Sequence, residues 1–376
     1  MSIVNWIRGD APGPHTLATQ LGDSPASPWR HESLPRIPAS LRAGVDVAGA
    51  RPLAACAAPF CYEGLQPGHR GFRLSAAEAR RHLPAARPAL SPYMTGGALL
   101  SGEYQRRPEY LIDLPSTLAE AANHPDLLAH LERTVVPDWR RDAAAERART
   151  GKPTGEHQNR LTTWWQLKRP RPELQAALRR LSRYIACARV TRRPIFAFLD
   201  PTIKPDSSLT VFAAEDDYSF GLLQSQVHWA WFQGRCSTLK RDHRYTSNTV
   251  FDSFPWPQSP SLSDLTAVAA AAAALRTTRT ILIRFNNHHS QYHNLRDLYR
   301  AAEAGECDQL LIMQQALDRA VRAAYGMPLD ADPLAFLLAL NHELAARESR
   351  GLPITAPGLP PAVDPRPFIT DDRITP

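Results

Sequence analysis

The sequence predicts an α+β fold: a mixed-sheet domain with inserted helices, followed by an all-helical region. Three observations carry this. Short apolar runs bounded by Gly, Pro and Asp recur in residues 52–115 and 194–258, the pattern of strands. Residues 262–350 show four stretches of helical spacing. The 34 prolines among 376 residues are about twice average usage and cut the chain into short segments. Apolar residues at 43% suffice for a sizeable core, and 22% charged residues exclude a disordered chain, a collagen and a coiled coil.

In chain order, Ile3-Val4-Asn5-Trp6-Ile7 reads as a buried strand entered without a cap, which suggests earlier elements elsewhere. A Pro/Gly/Ser-rich hairpin and linker follow to about Arg51. The next unit, 51–258, opens with loop and strand from Tyr62 to Leu74. Ser75 and Glu78 have capping-box spacing, so a short helix runs to about Leu83. Tyr110–Leu114 is a strand. Thr117–Thr134 has helical periodicity, continued past Pro137 to Arg149. Pro194–Leu199 and Ser208–Ala213 are strands, and Asp217–Phe232 is an aromatic-rich helix whose Asp216 and Asp217 suit a helix N-terminus. Leu239–Phe251 alternates polar and apolar residues until Phe254-Pro255-Trp256-Pro257 stops it. Residues 259–350 are helical, over about Ser263–Phe285, Ser290–Ala304, Cys307–Tyr325 and Pro333–Arg350, and 351–376 is an irregular Pro-rich tail.

The net charge is +7, but residues 133–193 hold sixteen Lys/Arg against five Asp/Glu, so that stretch carries +11 and the remainder −4. Trp139, Trp164, Trp165 and Tyr184 are interleaved with it. Arg160, Lys168, Arg169 and Arg171 surround the paired indoles Trp164 and Trp165. Guanidinium and ammonium groups pair with phosphates while indoles pack on sugars or bases, so nucleic acid suits this composition. A solvated basic face with both tryptophans in the core is the plainer reading. A second cluster runs Arg235, Lys240, Arg241, Asp242, Arg244, Tyr245. On an extended segment Lys240 and Asp242 share one face. Lys can donate to guanine O6 or N7 while Asp accepts from cytosine N4; a surface ion pair is the plainer alternative.

Five scattered cysteines suggest a reduced, cytoplasmic setting. No run of eighteen apolar residues occurs, and Ala267–Leu275 is too short to span a bilayer. No metal-ligand spacing is convincing; His289 and His293 lack a completing motif. No Lys has an acid two residues before it. Phosphate-loop, nucleophile-elbow and Asn-Pro-Pro-aromatic motifs are missing as well, so no catalytic residue is assigned.

Three segments occur together: Ser225-Gln226-Val227-His228-Trp229-Ala230-Trp231, Leu239-Lys240-Arg241-Asp242-His243-Arg244-Tyr245, and Thr249-Val250-Phe251-Asp252-Ser253-Phe254-Pro255-Trp256-Pro257. In that order they resemble the target-recognition domain of MmeI-like adenine-specific DNA methyltransferases of type IIL restriction–modification. Ala316–Gly326 and Leu338–Glu343 look like that family's C-terminal helical region. Tyr62, Gly64, Gly71, Phe72 and Leu74 resemble the entry to the recognition domain, and Val4-Asn5-Trp6 a late strand of the methyltransferase domain.

The resemblance implies sequence-specific binding of double-stranded DNA, with a remnant Rossmann-like methyltransferase edge at the N-terminus. Lys240, Asp242 and Arg244 become candidates for base reading. Arg160, Trp164, Trp165, Lys168, Arg169, Arg171, Arg235 and Tyr245 become candidates for backbone or groove contact. The family uses S-adenosylmethionine and an Asn-Pro-Pro-Tyr/Phe motif for the flipped adenine. This chain has no such motif, so methylation is expected to need an upstream methyltransferase or nuclease polypeptide. A non-enzymatic interaction fragment that binds RNA or protein is the competing class, and a gene remnant the third.

Overall fold

The computed structural model describes residues 14–376 apart from 22–23, 25, 35–36, 38–43, 58–59, 84–88, 240–241 and 285–291. The strand expected at Ile3–Ile7 lies outside the described residues. The hairpin expected after it consists of β1 (His15–Gln20) and antiparallel β2 (Trp29–Leu34).

β3 (Cys61–Glu63) and β4 (Arg73–Ser75) come next. Just after β3, Gly64 lies against the backbone of residues 205–206, and a Cβ there would stand 2.1 Å from Asp206 O. That closeness lets the Leu65 N–H donate to Pro205 O at 2.8 Å. Backbone facing backbone has little room to yield, so Gly64→Ala is expected to cost roughly 2–4 kcal/mol. The check is the urea midpoint; an unchanged midpoint would mean that residues 204–206 can move aside.

α1 (Ala76–His82) starts at the predicted capping box. Ser75 Oγ accepts from the Glu78 N–H at 3.3 Å, and the Glu78 carboxylate accepts from the Ser75 N–H at 2.8 Å. β5 (Leu90–Met94), α2 (Gly96–Ser101), α3 (Glu103–Arg106) and β6 (Glu109–Ile112) complete this part. Five helices follow: α4 (Leu118–Ala121), α5 (Pro125–Thr134), α6 (Val136–Thr150), α7 (Glu156–Thr162) and α8 (Pro172–Leu178). The continuous periodicity of Thr117–Thr134 becomes two helices because Pro125 begins α5. Proline fits a first turn, where its missing N–H would have had no partner. Phe72, Leu74, Leu111, Leu127, Leu131 and Trp139 form the core here.

β7 (Tyr184–Ala188), β8 (Val190–Thr191), β9 (Phe196–Leu199), β10 (Lys204–Pro205) and β11 (Leu209–Phe212) follow. One sheet has the order β3-β11-β7-β9, antiparallel throughout. A second has the order β10-β5-β6-β4, with β10 parallel to β5. β7 is buried on both faces. Tyr184 and Ala186 pack with Leu174, Leu178 and Val211, while Ile185 and Cys187 join a larger aromatic core. Double burial is why these strands read as unbroken apolar runs.

The expected helix Asp217–Phe232 is α9 (Asp217–Gln224) and α10 (Gln226–Arg235). Ser225 separates them in an extended conformation. Its hydroxyl donates to Leu222 O at 2.7 Å and accepts from the His228 N–H at 3.2 Å, so one side chain ends one helix and starts the next. β12 (Ser237–Leu239) and β13 (Asp242–Arg244) are followed by a π-helical turn, Ser247–Phe251, in place of continued alternation. The segment ends at the two prolines as expected, and Phe254 and Trp256 are buried.

α11 (Leu262–Arg284), α12 (Leu295–Glu303), α13 (Asp308–Ala324) and α14 (Pro333–Ser349) form the helical region. By length and composition α11 could cross a bilayer over Leu262–Ile283. It packs against α9 and α13, and its Arg276 and Arg279 are buried. The family-like motifs of this region do structural work. Asp318 accepts from the Gln226 N–H that opens α10, at 2.7 Å. Fully buried Asn341 donates to Arg51 O and Ser253 O at 2.9 and 2.8 Å.

Asp216 caps α9 as the sequence suggested, accepting from the Ser219 N–H at 2.7 Å. Asp217 points inward instead. Its Oδ1 lies 2.7 Å from Arg183 Nη2 and 2.5 Å from Arg276 Nη2. The irregular tail closes this network: Asp372 pairs with both arginines, and Ile374 bridges to Leu199 of β9.

Candidate nucleic-acid interface

A small sheet of order β12-β13-β8 stands beside the main one. Leu239 pairs with Asp242, and Arg244 pairs with Ser237 on one side and Val190 on the other. Asp242 is therefore extended, as the base-reading expectation requires; Lys240 lies outside the described residues. Arg244 is exposed.

What pins this sheet is Tyr245. Its N–H donates to Arg189 O at 2.8 Å. Its hydroxyl donates to His228 Nε2 at 2.9 Å, while His228 Nδ1–H donates to Leu223 O at 2.7 Å. Burial pushes the His228 pKa down to about 4, so the ring stays neutral at physiological pH and keeps this tautomer. The Tyr245 ring stacks on Phe232 at 5.4 Å. At 1% exposure Tyr245 cannot touch a nucleic acid; the expectation of contact is corrected to one of anchoring. Arg235 is likewise committed inward, donating to Thr249 O at 3.1 Å and Val47 O at 2.8 Å.

The basic helical segment meets this sheet through Glu63. That carboxylate takes Arg171 at 2.9 Å and also pairs with Arg189, the residue just before β8. Arg171 itself is held at φ 51°, in the left-handed region, as it opens α8. Arg169 is exposed, and its backbone pairs both ways with Gln66. Lys168 lies 2.6 Å from Glu156. Arg160 sits 4.2 Å over the Trp139 ring. Arg160 and Lys168 both lie against Gly68, at φ 89°, where a Cβ would lie 2.6 Å from Arg160 Nη2 and 2.8 Å from Lys168 Cβ.

The two adjacent tryptophans divide the plainer reading. Trp165 is buried, with its indole N–H donating to Pro115 O at 3.1 Å, so its expected contact is corrected. Trp164 is half-buried, edge-on to Trp165 at 6.0 Å. Part of the +11 is also structural, since Arg183 is wholly buried. Of the four cations read from the sequence, Arg160 and Lys168 lie beside Gly68, Arg169 pairs with neighbouring Gln66, and Arg171 turns to Glu63. Sequence reasoning missed Glu63 and Arg189, which link them to the small sheet. Charge windows find clusters but not an acid 108 residues away that joins them.

The MmeI target recognition domain family matches residues 188–258, which run from the end of β7 through the buried Phe254–Pro257 exit. Among solved structures the chain is similar to one described as the type IIL restriction–modification enzyme MmeI in complex with DNA. The TM-score is 0.68 at 18% identity, over 92% of this chain and 45% of that one. This chain thus spans less than half the length of that protein. No curated protein matches it. Residues 188–258 thus match the MmeI target recognition domain family, and the chain that carries them is similar in fold to MmeI.

Proposed function

We propose that the chain reads sequence in double-stranded DNA for an adenine-N6 methyltransferase of the restriction–modification type. The observation that carries this is the anchored small sheet. A buried Tyr245–His228 pair holds an extended strand bearing Asp242 and exposed Arg244, and Glu63 ties that sheet to the basic segment. Lys240, Asp242 and Arg244 read bases; Arg169, Lys168, Arg160 and Arg171 take phosphates.

S-adenosylmethionine belongs to the complete enzyme. No Asn-Pro-Pro-aromatic segment for a flipped adenine is present, and the cleft between the Arg70–Arg80 segment and residues 103–109, lined by five Arg, does not suit the cationic sulfonium of that cofactor. No catalytic step is assigned here. Methyl transfer would fall to an upstream methyltransferase polypeptide.

The test is selection by the full chain from a mixture of randomised duplex DNA and randomised RNA. A recurring short sequence is expected. Lys168→Ala with Arg169→Ala should weaken all duplexes evenly and reduce the log–log salt slope by about 1–2. An unchanged slope would remove both from the interface. Enrichment of RNA, or of nothing, would overturn the reading in favour of an interaction fragment.

A further inference from the structure

A cleft of about 850 Å³ lies between the Arg70–Arg80 segment and residues 103–109. Five arginines line it: Arg70, Arg73, Arg80, Arg106 and Arg107. The acids facing them are largely spoken for. Glu109 pairs with Arg73, and Glu78 is held in the capping box by Ser75. Arg106 donates to Ser101 O at 3.0 Å. Among the described residues Arg70, Arg80, Arg106 and Arg107 are exposed and have no acidic partner, and the lining as a whole sets five Arg against Glu78, Glu103 and Glu109.

The walls are polar and the cleft is open. A drug-sized molecule would want an enclosing apolar lining; a line of guanidiniums in a trough suits successive phosphates. The cleft also continues into the basic segment. A second cleft, of about 300 Å³, shares Arg70, Arg73 and Tyr93 with it and reaches Gln66 and Gly68. Those are the residues on which Arg169, Lys168 and Arg160 converge. The loop between is rigid. His69 Nδ1 accepts from the Gly71 N–H at 3.0 Å, so its Nε2–H donates to Asp138, at 2.9 Å. His130 Nε2 donates to Gly71 O at 3.0 Å. Arg70 is thereby presented from a fixed backbone.

We infer that this Arg-lined cleft seats the sugar–phosphate backbone of duplex DNA beyond the bases that are read, extending the basic segment into one track. The inference rests on the duplex-reading function proposed above. It makes Arg70, Arg80 and Arg107 affinity residues with no say in base preference.

The test uses the full chain and a labelled 40-base-pair duplex, with a single strand of equal length alongside. Arg70→Gln, Arg80→Gln and Arg107→Gln are combined, and a second variant carries Lys at all three positions. The Gln variant should bind the duplex roughly tenfold more weakly, with a salt slope smaller by about 2–3. Its selected sequence should not change. The Lys variant should keep the parental slope, which a merely structural loss would not allow. A Gln variant with the parental slope overturns the cleft assignment and leaves the base-reading function standing. Loss of single-strand binding alone overturns the commitment to duplex. A parental chain that ignores duplex altogether overturns both.

Discussion

Asp217→Asn should lower the unfolding free energy by about 3–5 kcal/mol, the usual cost of deleting one partner from a buried ion pair. Arg183 is fully buried, its guanidinium 3.6 Å from the Phe198 ring centroid, and Arg276 is nearly so. Both point at the same Asp217 oxygen. The amide has the shape of the carboxylate but not its charge, so two cations would remain out of water with only half-exposed Asp372 to balance them. Urea unfolding at constant m-value reads the loss. Removing Arg276 and Asp217 together should cost less than the two separate losses added, because the pair is coupled. A midpoint unmoved by Asp217→Asn would mean that water reaches the network and screens it.

Exchanging Lys240→Glu and Asp242→Arg should redirect base preference at one position of the recognised sequence. Each good side-chain pairing to a base edge discriminates by about 1–3 kcal/mol. Reversing donor and acceptor therefore swings the preference between a base pair and its inverse by roughly twice that. Asp242 sits on β13 in register with Leu239, and the anchor at Tyr245 is independent of the exchanged side chains, so affinity for the new sequence should approach the parental value. Selection from a randomised duplex pool before and after the exchange reads the outcome. The same recognised sequence from both chains would eliminate the pair as readers and leave Arg244.

Local signals were legible where one residue decides. The Ser75–Glu78 spacing gave α1, the helical spacing of 262–350 gave four helices, and Pro–Trp–Pro marked where regular structure stops. What escaped detection depended on distance or on exposure. Ser225 divides a helix that looks continuous because its apolar residues keep their spacing across the break. The Pro-rich tail is irregular, as expected, yet Asp372 reaches partners 96 and 189 residues earlier and Ile374 pairs with Leu199. Residue type gave the candidate interface its cations but could not say which aromatic faces outward. Tyr245 and Trp165 have partners for their polar atoms inside, and that makes burial affordable for them.

Arg171 keeps a conformation that glycine or asparagine would adopt without strain, at a penalty on the order of 1 kcal/mol. Among the described residues its side chain pairs with Glu63, the hinge between the basic segment and the small sheet. A lineage released from demand on that face should therefore drift toward glycine or asparagine at 171. Persistence of arginine among descendants would record continuing selection for something other than folding.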